Sequence, residues 1–214
     1  MLRRTRATAA LCVALTACAP TGGDHHDHRF ADAEKWARIF DDPERDTWQK
    51  PAEVIRTLRL PPDATVADVG AGTGYFAVRL ARALPKGKVF AVDAEPDMVR
   101  YLGERAKREG VTNLVPVQAV PDDPKLPAPV DLVLLVNTYH HIPARVEYFR
   151  RLRASLKPGG RVAIIDYRPE APMGPPRATR VPYDVVADDL MRAGYVIVEN
   201  YSLLPHQYFL VFAG

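Results

Sequence analysis

Val66-Ala-Asp-Val-Gly-Ala-Gly-Thr-Gly-Tyr-Phe76 decides the fold. The apolar stretch ending at Val69 reads as a buried strand, and alternating glycines at 70, 72 and 74 turn the chain into a helix. Glycine there permits backbone angles, or a closeness of approach, that a Cβ forbids. The helix beyond offers unpaired N–H groups at its start. In an open α/β sheet such a turn sits at the carboxyl end of a strand, where a nucleotide-like ligand lies against bare backbone.

Two ligands compete for that turn. A dinucleotide fingerprint, G-x-G-x-x-G, requires a third glycine at position 75, and Tyr75 stands there. The spacing Asp68-Val-Gly70-Ala-Gly72-Thr-Gly74 instead resembles the first motif of the class I S-adenosylmethionine (SAM) methyltransferases. That resemblance implies that Asp68, Gly70, Ala71, Gly72 and Gly74 receive the amino-acid part of SAM. A second match follows at Val89-Phe-Ala-Val-Asp93, an apolar strand ending in an acid 19 residues after Gly74. It implies that Asp93, with Ala94 beside it, accepts hydrogen bonds from both ribose hydroxyls. A structural glycine turn in some other doubly wound protein is the plainer alternative.

Outward from the turn, apolar runs and helical stripes alternate. Strands are predicted at 65–69, 88–93, 114–119, 130–136, 161–166, 196–201 and 207–212. Helical stripes fall between them, at Phe76/Leu80/Leu84, from Pro96 to about Glu109, at Phe149/Leu152/Leu156 and at Val186/Leu190/Ala193. The run 130–136 is unbroken and apolar, the mark of a strand covered on both faces. Only Ser202 to His206 joins the last two strands, too short for a parallel crossover, so they should pair antiparallel. Lys157-Pro-Gly-Gly160 resembles the family's link into its fifth strand. The resemblance covers roughly residues 50–214 and implies a Rossmann-like, doubly wound, seven-stranded α/β sheet, mostly parallel, with an antiparallel C-terminal hairpin.

Ahead of the sheet, Phe30, Ala33, Ala37 and Phe40 share one helical face, and Asp41-Asp42-Pro43 stops that helix. A polar stretch follows, then a short helix with Val54, Ile55 and Leu58. The family often places cap helices here, so Arg45, Asp46, Trp48 and Gln49 are candidates for a lid, with Trp48 as a substrate contact. Packing of Trp36 and Trp48 onto the core is the alternative.

Ligands in such sheets bind beyond the strand ends. After the third strand, Gln118 or Asp122 is the candidate adenine contact. After the fourth comes Asn137-Thr-Tyr-His-His-Ile142, which the resemblance puts beneath the methionine part of SAM: Asn137 on the cofactor, Tyr139, His140 and His141 toward the substrate. After the fifth come Asp166 and Tyr167, the latter a second substrate contact, and a stiff proline-rich loop that would wall the acceptor pocket. Methyl transfer from a sulfonium needs alignment, exclusion of water and, for some acceptors, removal of a proton. Histidine is the natural base at neutral pH, so His140 and His141 are the catalytic candidates. One of the pair is expected to be buried and structural and the other to face the cleft; His140 is the choice for the cleft.

The N-terminus differs in kind. Met1 to Arg6 is basic, and the 11 residues Ala7 to Ala17 are apolar or small, too few to span a bilayer. They end in Leu15-Thr16-Ala17-Cys18, which resembles the lipobox of bacterial lipoproteins and implies lipidation of Cys18 and a place in the cell envelope. A cytosolic enzyme with a basic extension is the alternative. The expected divisions are a signal peptide over 1–17, a flexible tether over 18–29, cap helices over 30–60 and a methyltransferase domain over 61–214.

The tether holds His25, His26 and His28, which read as solvated linker rather than a metal site. Cys12 and Cys18 are the only cysteines, so the processed chain would have no internal disulfide, thiol catalysis or zinc–cysteine site. Loss of Arg3, Arg4 and Arg6 would take the formal charge from +3 to zero, leaving no basic field to recommend a nucleic-acid partner. The fold and the Asn137-Thr-Tyr-His-His segment also resemble the small-molecule methyltransferases of ubiquinone and menaquinone biosynthesis, and that resemblance implies a small-molecule, lipid-borne or quinone-like acceptor with SAM as cofactor; no metal is expected.

Overall fold

The computed structural model describes residues 32–214. The segments expected to be a signal peptide (1–17) and a tether (18–29), with Cys18 and Phe30, lie outside the described residues. Seven strands form one sheet in the order β3-β2-β1-β4-β5-β7-β6. They are β1 (Thr65–Val69), β2 (Lys88–Asp93), β3 (Leu114–Gln118), β4 (Val130–Val136), β5 (Leu156–Tyr167), β6 (Val196–Tyr201) and β7 (Gln207–Ala213). The first five pair in parallel, and β7 runs antiparallel to both β5 and β6. The hairpin is present, with β7 inserted between β5 and the edge strand β6.

Helices α3 (Pro51–Thr57), α4 (Tyr75–Ala83) and α5 (Pro96–Arg108) cover one face; α6 (Arg145–Leu152) and α7 (Tyr183–Arg192) cover the other. The unbroken apolar run of β4 follows from this: Leu132, Leu134 and Val136 enter one core, Val133 and Leu135 the other. Strand β5 begins earlier than the sequence suggests, because Lys157-Pro-Gly-Gly160 stays within it. Leu156 pairs with Val130, and the register then shifts so that Arg161 faces Leu132. Gly159, at φ 76°, absorbs that irregularity.

The topology reverses between β1 and β4, which lie side by side. The glycine turn after β1 therefore sits next to the segment after β4, at the crevice where such sheets bind ligands. Over this edge lie α1 (Ala33–Phe40) and α2 (Arg45–Gln49). Helix α1 starts at Asp32, whose side chain accepts from the Lys35 amide. The Ala33 amide donates to Asp97 at 2.7 Å, and Arg105 pairs with Asp41 at 2.8 Å, so α1 is bound to α5. Helix α2 is too short to be read from periodicity and is held by tertiary bonds: Asp46 accepts from the Tyr75 hydroxyl and pairs with Arg79. Among the described residues no helix is long and apolar enough to cross a membrane.

Candidate active site

Gly70, Gly72 and Gly74 all have positive φ (75°, 54° and 94°). The amides of Gly70 and Ala71 donate to the Val92 carbonyl, tying the turn to β2. Asp93 completes the tie: one carboxylate oxygen accepts from the Gly72 amide at 2.7 Å and the other from the Glu95 amide at 3.0 Å. Each oxygen keeps a further lone pair for a ligand hydroxyl. Two of the glycines are required by the protein itself. A Cβ on Gly70 would lie 2.2 Å from the Thr138 hydroxyl, and one on Gly74 would lie 2.8 Å from Leu102. The direction a Gly72 side chain would take meets Phe40 of α1 at an ordinary contact distance of 3.5 Å, so the cap roofs the turn without filling it.

Burial dominates the acids here. Asp68, 3% exposed, has its pKa pushed up to about 7 by desolvation; the positive charge of Arg45 opposes that shift and the charge of Asp93 adds to it. Burial also raises Asp93, against the pull of the Glu95 and Gly72 amides. Because Asp68 holds its proton more tightly in the folded chain, its stabilising contribution is full below pH 3.8 and lost as pH rises through 7. Asp68→Asn should therefore be more stable than the native chain above pH 7, by on the order of 2–4 kcal/mol. That advantage should vanish toward pH 4, as thermal unfolding across pH will show.

After β4 the chain makes a tight 3-10 turn at Tyr139–His141. Asn137, in the left-handed region at φ 57°, starts it. His140 is the buried member of the histidine pair. Its side chain is 5% exposed, and its Nδ1 lies 2.9 Å from Oδ2 of Asp166 at the end of β5. His141 is the exposed one, its ring 4.1 Å from that of His140. The division into one buried and one exposed ring is as expected, but the roles by burial are exchanged, because Asp166 draws His140 inward. A carboxylate on Nδ1 calls for the Nδ1–H tautomer, which leaves the Nε2 lone pair of a neutral ring as a proton acceptor. His140 and His141 border a recess of about 550 Å³ that continues along the start of α6 to Asp189.

Tyr139, expected to face the substrate, does not. It is fully buried, stacks on Phe149 and donates its hydroxyl to Asp189 at 2.7 Å. In so short a turn neighbouring side chains diverge, and an aromatic ring goes to the core. Tyr167 and Trp48 are brought together, 5.9 Å between rings, with His206 also beside Trp48. Gln118 donates to the Ala94 carbonyl at 2.6 Å, next to Asp93, whereas Asp122 turns toward Arg151 of α6. Of the two candidate adenine contacts, only Gln118 stands at the crevice.

Gln49 and Asn137 were candidates singly, but Gln207 and the row of amides it completes escaped the sequence reading. Gln49 of α2, fully buried, donates to Gln207 of β7, which donates to Oδ1 of Asn137. Buried glutamine at 207, the first residue of a strand, was the available signal. Among the described residues, no group of three or more His, Cys, Asp or Glu side chains is placed to hold a metal.

Residues 66–160 match the family described as a methyltransferase domain. A trans-aconitate 2-methyltransferase of Rhodopseudomonas palustris (strain BisB18) is 28% identical over 134 residues, covering 62% of this chain and 48% of the relative. A demethylmenaquinone methyltransferase of Listeria welshimeri is 27% identical over 123 residues, 56% of this chain and 50% of the relative. The chain thus matches about half the length of these curated relatives. The crystal structure of a SAM-dependent methyltransferase from Aquifex aeolicus superposes with a TM-score of 0.78 at 27% identity, over 85% of this chain and 98% of that one. The fold is that of the SAM-dependent methyltransferases.

Proposed function

We propose that this chain, built around a methyltransferase domain at residues 66–160, is a SAM-dependent methyltransferase acting on a small-molecule acceptor, with His140 as its base. One observation carries the reading: the Asp93 carboxylate is fixed by the Gly72 and Glu95 amides at the glycine turn, beside Gln118 and under the cap. Two buried oxygens beside the turn, Thr73 Oγ1 and Asp41 Oδ1, have no hydrogen-bond partner among the described residues, and both residues are held by Arg105. An adenosyl amino acid is polar where these groups are polar, and Gly72 leaves room for its approach.

Asp93 would hold the ribose, Gln118 the adenine side, and Asp68, Ala71 and Asn137 the amino-acid end. When bound, SAM supplies an electrophilic methyl group on sulfur. The chain contributes alignment, exclusion of water by α1 and α2, and proton removal. In the last, His140 Nε2 takes the acceptor's proton, and Asp166 keeps the ring in the competent tautomer and stabilises the resulting cation. Trp48 and Tyr167 offer aromatic faces at the mouth, which favours a planar acceptor such as a quinone-like ring. The relatives named above act on acceptors as different as trans-aconitate and a demethylmenaquinone, so the family by itself leaves that choice open.

The same reading places the protein in the cell envelope, anchored through a lipidated Cys18, where it would meet lipid-borne acceptors. The basic and apolar sequence from Met1 to Ala17 supports this. It also favours a second reading, an exported domain that binds SAM or a related nucleoside without turnover, because SAM is made in the cytosol.

Calorimetry of the full chain with SAM and S-adenosylhomocysteine (SAH), then transfer of labelled methyl to candidate quinones and carboxylic acids, tests the enzyme reading. Absence of binding to either nucleoside would sink it. Cys18→Ser should release the protein from the membrane fraction; unchanged attachment would remove the lipid anchor.

A further inference from the structure

We propose that Arg145, the first residue of α6, determines which acceptor is taken, and that the acceptor is a small planar acid with one carboxylate and a hydroxyl. The carboxylate meets the Arg145 guanidinium, and the hydroxyl lies at His140. The inference rests on the methyltransferase reading above and adds to it the class of molecule that is methylated.

The recess of about 550 Å³ beside the histidine pair is lined by His140, His141, Arg145, Glu147 and Asp189, with Pro143 and Val146 as apolar wall. Only Ile142, Pro143 and Ala144 separate His141 from Arg145, so the turn into α6 brings the guanidinium to the same hollow as the two rings. Helix α6 carries three arginines, and two of them, Arg150 and Arg151, pair with Glu147 at 2.7 and 3.1 Å. The third stands apart. Among the described residues half-buried Arg145 joins no carboxylate, and its one hydrogen bond runs from Nε to the Tyr139 carbonyl at a long 3.4 Å. Its guanidinium lies 5.0 Å from the Tyr139 ring, which is itself fixed by its stack on Phe149 and its hydrogen bond to Asp189. The fork is thus held through Nε and an aromatic face, while both Nη groups have no partner among the described residues. Paired N–H donors of that kind are the complement of a carboxylate.

The other groups narrow the class. Glu147 is offset by its two arginines, but Asp189 joins no cation among the described residues and adds an uncancelled negative charge. That charge repels a second anionic group on the ligand, hence a single carboxylate. The adjacent rings of His140 and His141, 4.1 Å apart, favour a flat, conjugated frame. The hydroxyl follows from the base: a carboxylate has already lost its proton at neutral pH, so a histidine that accepts one serves a different group.

The test is calorimetry of the full-length chain, saturated with SAH, using para-hydroxybenzoate, its uncharged isostere para-hydroxybenzamide and the diacid 5-hydroxyisophthalate. The mono-acid should bind about 10-fold or more tightly than the amide, and the diacid no more tightly than the mono-acid. Arg145→Met should remove the preference for acid over amide while amide and SAH affinities stay within about twofold. Arg145→Lys should restore part of it, and the unfolding temperatures of both variants guard against a lost turn. Equal weakening of acid and amide would reduce Arg145 to a brace for Tyr139 and overturn the assignment. A native chain that ignores the carboxylate, prefers the diacid or binds none of the probes beside SAH would also overturn it. Failure to bind SAH would instead remove the methyltransferase reading beneath it.

Discussion

With His140 replaced by glutamine, turnover on an acceptor that must lose a proton should fall about 10²-fold or more, while SAH affinity stays within about twofold. Glutamine keeps the size and a hydrogen-bonding group for Asp166 but cannot take a proton. The fall should sit in kcat rather than KM, because the base acts in the transition state. The expectation follows from the 2.9 Å contact between Nδ1 and Asp166, which sets the ring's orientation and leaves Nε2 as the free acceptor. A variant that turns over at the native rate would make the His140–Asp166 pair a structural tie between the ends of β4 and β5.

Asp93→Ala should act on binding and on the fold together. Its carboxylate accepts from the Gly72 and Glu95 amides, and its remaining lone pairs are the proposed ribose grip. Truncation leaves both donors without their acceptor in a desolvated place, at about 1–3 kcal/mol each where water does not replace it. SAH affinity should drop about 10²-fold, and the urea midpoint should move down in the same protein. Asp93→Asn, which keeps one acceptor oxygen, should fall between the two. Native SAH affinity in the alanine variant would show that the acid only staples the turn to β2 and that the ribose lies elsewhere.

These two sites differ in how far the linear chain announced them. The position of Asp93 at the glycine turn was legible because it depends on local order: a strand, its last residue and a turn on the adjacent strand. His140 was legible only as one of a pair. Burial sends His140 to Asp166, 26 positions on, and leaves His141 exposed, and no pattern in Asn137-Thr-Tyr-His-His encodes that choice. Tyr139 was misplaced for the same reason, since its ring follows the core between α6 and α7. Gln118 and Asp122 were equal candidates in the chain, and the strand register, which pairs Asp93 with Gln118, separated them.

The cap shows the limit most clearly. Helix α2 has five residues, too few to be stable alone, and it exists through Asp46 on Tyr75 and Arg79 and Gln49 on Gln207. The resemblance made Arg45, Asp46, Trp48 and Gln49 candidates for a lid, but the distant partners that hold them, Tyr75, Arg79 and Gln207, were not legible in the chain. Sequence by itself determined the alternation of strands and helices, the glycine turn and the acid opposite it, because apolar period and backbone freedom are properties of short stretches. Tertiary structure alone decided the pairing of His140 with Asp166, the amide row from Gln49 to Asn137 and the placing of Arg45 over the Tyr75 ring. Those depend on which distant side chains share a desolvated space, and only closure of the sheet and its cap creates that space.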